Sequence, residues 1–170
     1  MLSDKIQAAL NDQIQAEFFS AYLYLSMSAW CDDNHFEGFA HWMRMQAQEE
    51  LFHAMKLYDY VNMTGGRVLL QAVKQPATEW PDAAAAFQAA LDHEKHMTDN
   101  INKLVGLCVQ ETDFATHAML QWFVSEQVEE EATVDAILGK LTLMGDHGPG
   151  LFMMDRELGG RAAPTPPAAE

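Results

Sequence analysis

The chain has 170 residues, 49% of them hydrophobic, which suits one domain built around one core. A formal net charge of −15 excludes phosphate-directed nucleic-acid binding, which needs a surplus of Lys and Arg, and disfavours docking on anionic membranes. No apolar run is long enough to span a bilayer, so neither nucleic acid nor a membrane is an expected partner.

An acidic surface gathers cations, although the same charge also serves plain solubility. The opening Met1-Leu2-Ser3-Asp4-Lys5 has no signal-peptide character and leads into an amphipathic pattern, giving a cytoplasmic expectation. Cys31 and Cys108 lack metal-ligand spacing and read as two reduced thiols in a helical core.

Helical periodicity runs through nearly the whole chain. Helix one is predicted from after Ser3, a good N-cap, to near Trp30, with Asp32, Asp33 and Asn34 ending it. Asn34 with Glu37 resembles a capping box for helix two, which runs to Met63 and stops at Thr64-Gly65-Gly66. Residues 65–80 read as irregular and include Pro76. Pro81 suits the first position of helix three, which reaches Gln110. Thr112 and Asp113 mark a turn into helix four, which extends to Met144. The run Gly145-Asp146-His147-Gly148-Pro149-Gly150 breaks the chain, and Leu151 to Leu158 forms a short fifth helix. Residues 1–158 are thus read as one domain, and 159–170, rich in Gly, Pro and Ala, as a flexible tail.

Linker lengths set the topology. Helices one and two are joined by about three residues and must form an antiparallel hairpin, as must helices three and four. The middle connection, about 15 residues at roughly 3.3 Å each, reaches about 50 Å. A helix of about 28 residues is about 42 Å long, so this connection can cross the full length of the bundle. The expected fold is an all-α four-helix bundle with a long crossover between helices two and three.

Each long helix carries an acid inside its apolar stripe. Glu17 lies among Leu10, Ile14, Ala21 and Tyr24, and Glu50 among Phe39, Met43, Ala54 and Leu57. Glu94 lies among Phe87, Ala90, Ile101 and Val105, and Glu130 among Phe123, Val134, Ile137 and Leu141. A buried ionised carboxylate is costly unless it is paired or bound to metal. All four stand about 25 Å from their hairpin turns at 1.5 Å per residue, so they meet mid-bundle. His53 follows Glu50 at i+3 and adds a nitrogen ligand on the same face. Four carboxylates and an imidazole nearly neutralise two divalent cations, one carboxylate can bridge them, and mixed oxygen and nitrogen ligation suits iron that meets dioxygen. His35, His41, His93, His96, His117 and His147 have no such setting, and the Met residues read as core filler.

The segments Gln15-Ala16-Glu17-Phe18-Phe19-Ser20-Ala21-Tyr22-Leu23-Tyr24, Glu49-Glu50-Leu51-Phe52-His53-Ala54 and Glu126-Gln127-Val128-Glu129-Glu130, with Glu94, resemble those of the ferritins, bacterial non-haem ferritins in particular. A di-iron carboxylate centre is general to ferritin-like bundles. The resemblance covers nearly the whole chain, crossover and fifth helix included. It implies that Glu17, Glu50 and His53 hold a first iron, with Glu50 bridging, and that Glu94 and Glu130 hold a second. It gives Gln127 a place beside dioxygen or water, Glu49, Glu126 and Glu129 a third, transit iron, and Tyr24 and Trp122 the supply of electrons. For Tyr24 and Trp122 the alternative is core packing; for the outer glutamates it is a solvated helix edge.

Two departures from related patterns matter. Many di-iron bundles have Glu where Gln127 stands and a His in the helix-four motif. The asymmetry of Gln127-x-x-Glu130 points to a second iron that binds weakly and leaves. Bacterioferritins bind haem through a Met directly after the bridging Glu; here Leu51 takes that place, and haem is not expected. The function implied is iron storage with ferroxidase activity, acting on ferrous iron with dioxygen or peroxide and storing a ferric oxo mineral in a homo-oligomeric shell of 24 copies. The alternatives are a rubrerythrin-like di-iron peroxide reductase, although no Cys-x-x-Cys segment follows the bundle, and a structural bundle with solvated acids.

Overall fold

Helix ends decide where the bundle can turn, because the first amides and last carbonyls of a helix lack partners within it. The computed structural model describes residues 2–145 and 147–166. Asp146 of the expected break and residues 167–170 of the expected tail lie outside the described residues. In α1 (Asp4–Asp33) Ser3 Oγ accepts from the Ile6 amide. In α3 (Ala83–Gln110) the Asp82 carboxylate accepts from Ala85, and in α4 (Phe114–Met144) that of Asp113 accepts from Thr116. Pro81 therefore precedes α3 rather than opening it. Asp82 wins the boundary because its side chain caps the helix.

The start of α2 (Glu37–Met63) departs from expectation. Asn34 does not cap it; Asn34 is the C-cap of α1, and its side-chain amide donates to the Trp30 carbonyl at 2.9 Å. Phe36 precedes α2 and offers no side-chain cap. The cap comes instead from α5 (Gly148–Leu158), where Asp155 Oδ1 accepts from the amides of Gly38 at 2.9 Å and Phe39 at 3.0 Å. Helix α5 begins earlier than expected, at Gly148, because Pro149 sits harmlessly in its first turn and His147 Nδ1 accepts from the Gly150 amide at 3.2 Å.

Both hairpins reverse through one left-handed residue, His35 at φ 63° and Thr112 at φ 57°. Phe36 N–H donates to Cys31 O and Asp113 N–H to Cys108 O, each at 2.9 Å, so the two turns share one closing pattern. Both cysteines are free and buried. Burial, aided by a nearby aspartate, pushes the Cys31 thiol up to about 12 and that of Cys108 up to about 11.

The crossover has no regular structure, but side chains of α1 bond parts of its backbone. Polar residues of α1 serve it in sequence order. Gln7 Oε1 accepts from Arg67 N–H at 2.7 Å, and Asn11 bonds both Arg67 O at 3.1 Å and Leu69 N–H at 2.8 Å. Asp12 accepts from Gln71 at 2.6 Å, and Ser26 donates to Ala77 O at 2.6 Å. The segment thus runs along α1 from its beginning toward its end.

The core falls into two apolar blocks. One holds Ile6, Leu10 and Ile14 of α1, Leu57 and Val61 of α2, Ile101 and Leu104 of α3, and Leu120 and Phe123 of α4. The other holds Met27, Phe39, Met43, Phe87, Val134 and Leu141, with Met154 and Leu158 of α5. On every long helix the stripe acid lies between its two blocks in sequence, so Glu17, Glu50, Glu94 and Glu130 form a polar layer between two apolar ones. The architecture is all-α, with no strand among the described residues. No helix among them is long and apolar enough to cross a membrane.

Candidate metal centre

All four helices contribute to the polar layer. Glu17, Glu50, His53, Glu94, Gln127 and Glu130 are each at most 5% exposed. Oxygen and nitrogen atoms of Glu17, Glu50 and His53 lie within 4.8 Å of one another, as do those of Glu50, Glu94 and Glu130. Glu50 belongs to both groups and so occupies the position a bridging carboxylate needs. A third group joins His53 and Glu130 to the half-buried Glu126.

Polar neighbours hold the acids. Gln46 Nε2 donates to Glu50 at 2.8 Å and to Glu130 at 2.7 Å, tying α2 to α4. Gln13 Nε2 donates to Glu17 at 2.8 Å. Gln127 Nε2 donates to the Glu94 carbonyl at 3.2 Å and its carboxylate at 3.3 Å. The Tyr24 hydroxyl donates to Glu94. His53 Nδ1 stands 3.5 Å from Glu50 and 3.9 Å from Glu17.

The electrostatics are those of crowded, dry acids. Burial, then repulsion by Glu50, pushes Glu17 and Glu130 each up to about 8. Burial and the charges of Glu50 and Glu130 raise Glu94 well above its ordinary value. Burial opposes ionisation of Glu50 as well, but hydrogen bonding and charge from His53, with the Gln46 hydrogen bond, lower it overall. For His53 burial opposes the charged form, yet Glu50, Glu17 and Glu130 outweigh it and push the ring up to about 10. Among the described residues two buried side-chain oxygens have no hydrogen-bond partner, Gln46 Oε1 and Glu17 Oε2, and the second belongs to a carboxyl of the cluster. A carboxyl oxygen without a donor, beside an imidazole and a shared carboxylate, is a position a divalent cation fits in place of a proton.

The remaining candidates divide. Glu126 reaches the centre. Glu49 pairs with Arg161 and Glu129 is exposed, and neither joins a ligand group among the described residues. The Trp122 ring lies edge-on to His53 at 5.4 Å. His93, the sequence neighbour of Glu94, turns to Ser20 Oγ at 2.7 Å, and burial pushes it down to about 4. Sequence reasoning missed Gln13 and Gln46. Each stands four residues before a stripe acid, and that shared spacing was the available signal. It also missed Asp155 and Arg161, whose partners lie more than a hundred positions away.

The ferritin-like domain family model matches residues 7–144. A probable bacterial non-heme ferritin-like protein of Haemophilus influenzae is 43% identical over 159 residues, covering 94% of this chain and 96% of that protein. The chain belongs to the ferritin family. A bacterial non-heme ferritin of Campylobacter jejuni is 42% identical over 156 residues, covering 92% of this chain and 93% of its own. An open pore ferritin from the hyperthermophilic archaeon Archaeoglobus fulgidus superposes with a TM-score of 0.95 at 49% identity, covering 95% of this chain and 99% of the other. The ferritin-like bundle and the iron-storage role expected from the motifs are those of the family, and the buried carboxylate and histidine cluster is compatible with a di-iron site.

Proposed function

We propose that this ferritin is a ferroxidase. Two ferrous ions bind as substrate, one to Glu17, Glu50 and His53, the other to Glu50, Glu94 and Glu130. Each gives one electron to dioxygen or peroxide, and the ferric product moves to the interior of a shell of 24 copies for storage as a ferric oxo mineral. The observation that carries this reading is the sharing of Glu50 by two buried ligand groups, next to an oxygen of Glu17 that nothing else satisfies.

The chain's own residues set up the chemistry. With no cation between them, Glu17, Glu94 and Glu130 favour their protonated forms, so cation entry must release protons. Gln46 and Gln13 fix carboxylate orientation before any cation arrives, and second-layer hydrogen bonds of this kind tune ligands. Tyr24, bonded to Glu94, is placed to pass an electron or a proton toward the second ion. Gln127 stabilises Glu94 as a neutral donor and adds no charge. A Glu in its place would supply a further ligand, so the second position has one ligand fewer than in a symmetric centre, and we read its ion as the one that leaves. We assign the activity to residues 1–158 and the working compartment to the cytoplasm.

The test is stopped-flow absorbance after anaerobic loading with ferrous iron and mixing with oxygen. Glu50→Ala and His53→Ala should each abolish the fast oxidation phase while circular dichroism stays helical. Wild-type rates in either variant would count decisively against the assignment.

A further inference from the structure

The segment after α5 was expected to be free, but its first residues are tied to α2. The Arg161 guanidinium bonds the Glu49 carboxylate. Its Nη1 donates to the Trp42 carbonyl at 3.3 Å, and the guanidinium lies 4.5 Å from the centroid of the Trp42 ring. The backbone carbonyl of Arg161 meets His41 Nε2 at 2.8 Å. A planar guanidinium held by an acid, a carbonyl and an aromatic face is a built contact. It is also only partly exposed, with side-chain accessibilities of 21% for Arg161 and 26% for Glu49.

Its position gives it meaning. Glu49 directly precedes Glu50, the carboxylate shared by both ligand groups. The outermost ligand group, His53, Glu126 and Glu130, includes a half-buried acid and so opens the centre toward solvent. Glu49 lies near enough for its charge to act on both Glu126 and Glu130, and it already has a cation in Arg161.

We infer that Arg161 is a positioning residue of the iron route, a counter-cation that holds Glu49 away from metal until an ion at Glu126 displaces it. This rests on the di-iron reading of the centre. Displacement breaks the charged tie to α2 and leaves only the contacts of Arg161 with Trp42 and His41, so filling of the outer position loosens the tail at Arg161. A site whose competent form is only a minor fraction binds more weakly by that fraction. Removing Arg161 must therefore tighten the outer ion and leave the inner two unchanged.

The experiment uses the assembled, metal-free protein and zinc, which binds such ligands without redox chemistry. Isothermal titration of wild type, Arg161→Gln and Glu49→Gln counts ions per chain, and hydrogen exchange of residues 159–166 is followed at each zinc equivalent. Wild type should bind two ions tightly and a third more weakly, with tail exchange accelerating only at the third. Arg161→Gln should bind the third about three- to tenfold more tightly and exchange its tail rapidly throughout. Glu49→Gln should lose the third ion and also loosen the tail. An unchanged third affinity in Arg161→Gln, with a wild-type tail indifferent to zinc, would reduce Arg161 to a structural staple and overturn the inference. Two tight ions with no third in any variant would overturn it while sparing the di-iron centre. No tight zinc in wild type would overturn both.

Discussion

Glu17 and Glu130 show how far the centre departs from ordinary carboxylates, and the departure sets a pH dependence. Each rises from an ordinary 4.5 to about 8 in the fold. Between those values the native chain keeps protons that the unfolded chain has released, so stability falls as pH rises through the window. His53, raised from 6.5 to about 10, acts in the same direction: its contribution is complete below 6.5 and is lost as pH climbs toward 10. The thermal midpoint of the metal-free protein should therefore drop between pH 5.5 and 8.5. Zinc should reverse the slope, because the cation replaces those protons and deprotonated ligands favour it. Glu17→Gln should flatten the metal-free slope. A metal-free midpoint that rises across this range would show that the acids are solvated. At this scale the sequence was informative wherever a residue broke its own pattern. An acid in an apolar stripe demands a cause, whereas a Gln such as Gln46 in the same stripe is consistent with many roles.

Among the elements, α2 and α5 depend on each other. An added Cβ at Gly38 would stand 1.7 Å from the Asp155 carbonyl oxygen, which is backbone and cannot step aside. Glycine is needed there so that α5 can approach closely enough for Asp155 to cap α2. Gly38→Ala should displace α5 and release Arg161, leaving the four long helices intact. Hydrogen exchange should then rise in residues 148–166 and little elsewhere. Asp155→Ala removes the cap alone and should cost about 1 kcal/mol, read from denaturant unfolding, with Asp155→Asn partly restoring it. Intact protection of α5 in Gly38→Ala would contradict this coupling. The contact explains the misread start of α2. Asn34 and Glu37 have the spacing of a local cap, but the true cap arrives from the far end of the chain, where no periodicity points to it. Hairpin pairing and the crossover were legible because linker lengths permit few alternatives. The pinning of the crossover by Gln7, Asn11, Asp12 and Ser26 was not, since those residues read simply as the polar side of α1.

For the whole molecule, two facts oppose each other. Tyr22 and Leu25 of α1 and Leu69, Leu70 and Val73 of the crossover it carries are all between 38% and 67% exposed. Apolar side chains gathered on one side of a bundle call for a covering surface. A net charge of −15 per copy makes like copies repel. A shell of identical copies reconciles them if the apolar face is buried between copies and the charge is left to salt and bound cations. Helix α5 does not need a neighbour merely to exist, since Met154, Leu158, Asp155 and Arg161 anchor it within its own chain; its outward Phe152 and Met153, 71% and 72% exposed, are what remain for one. Sedimentation velocity at micromolar concentration should show a large homo-oligomer whose fraction grows with ionic strength, as repulsion is screened over about 10 Å at 0.1 M salt. Leu25→Glu with Leu70→Glu should shift the population to small species without loss of helix. A stable monomer of the wild-type chain at moderate salt would reject the shell and leave the apolar face unexplained.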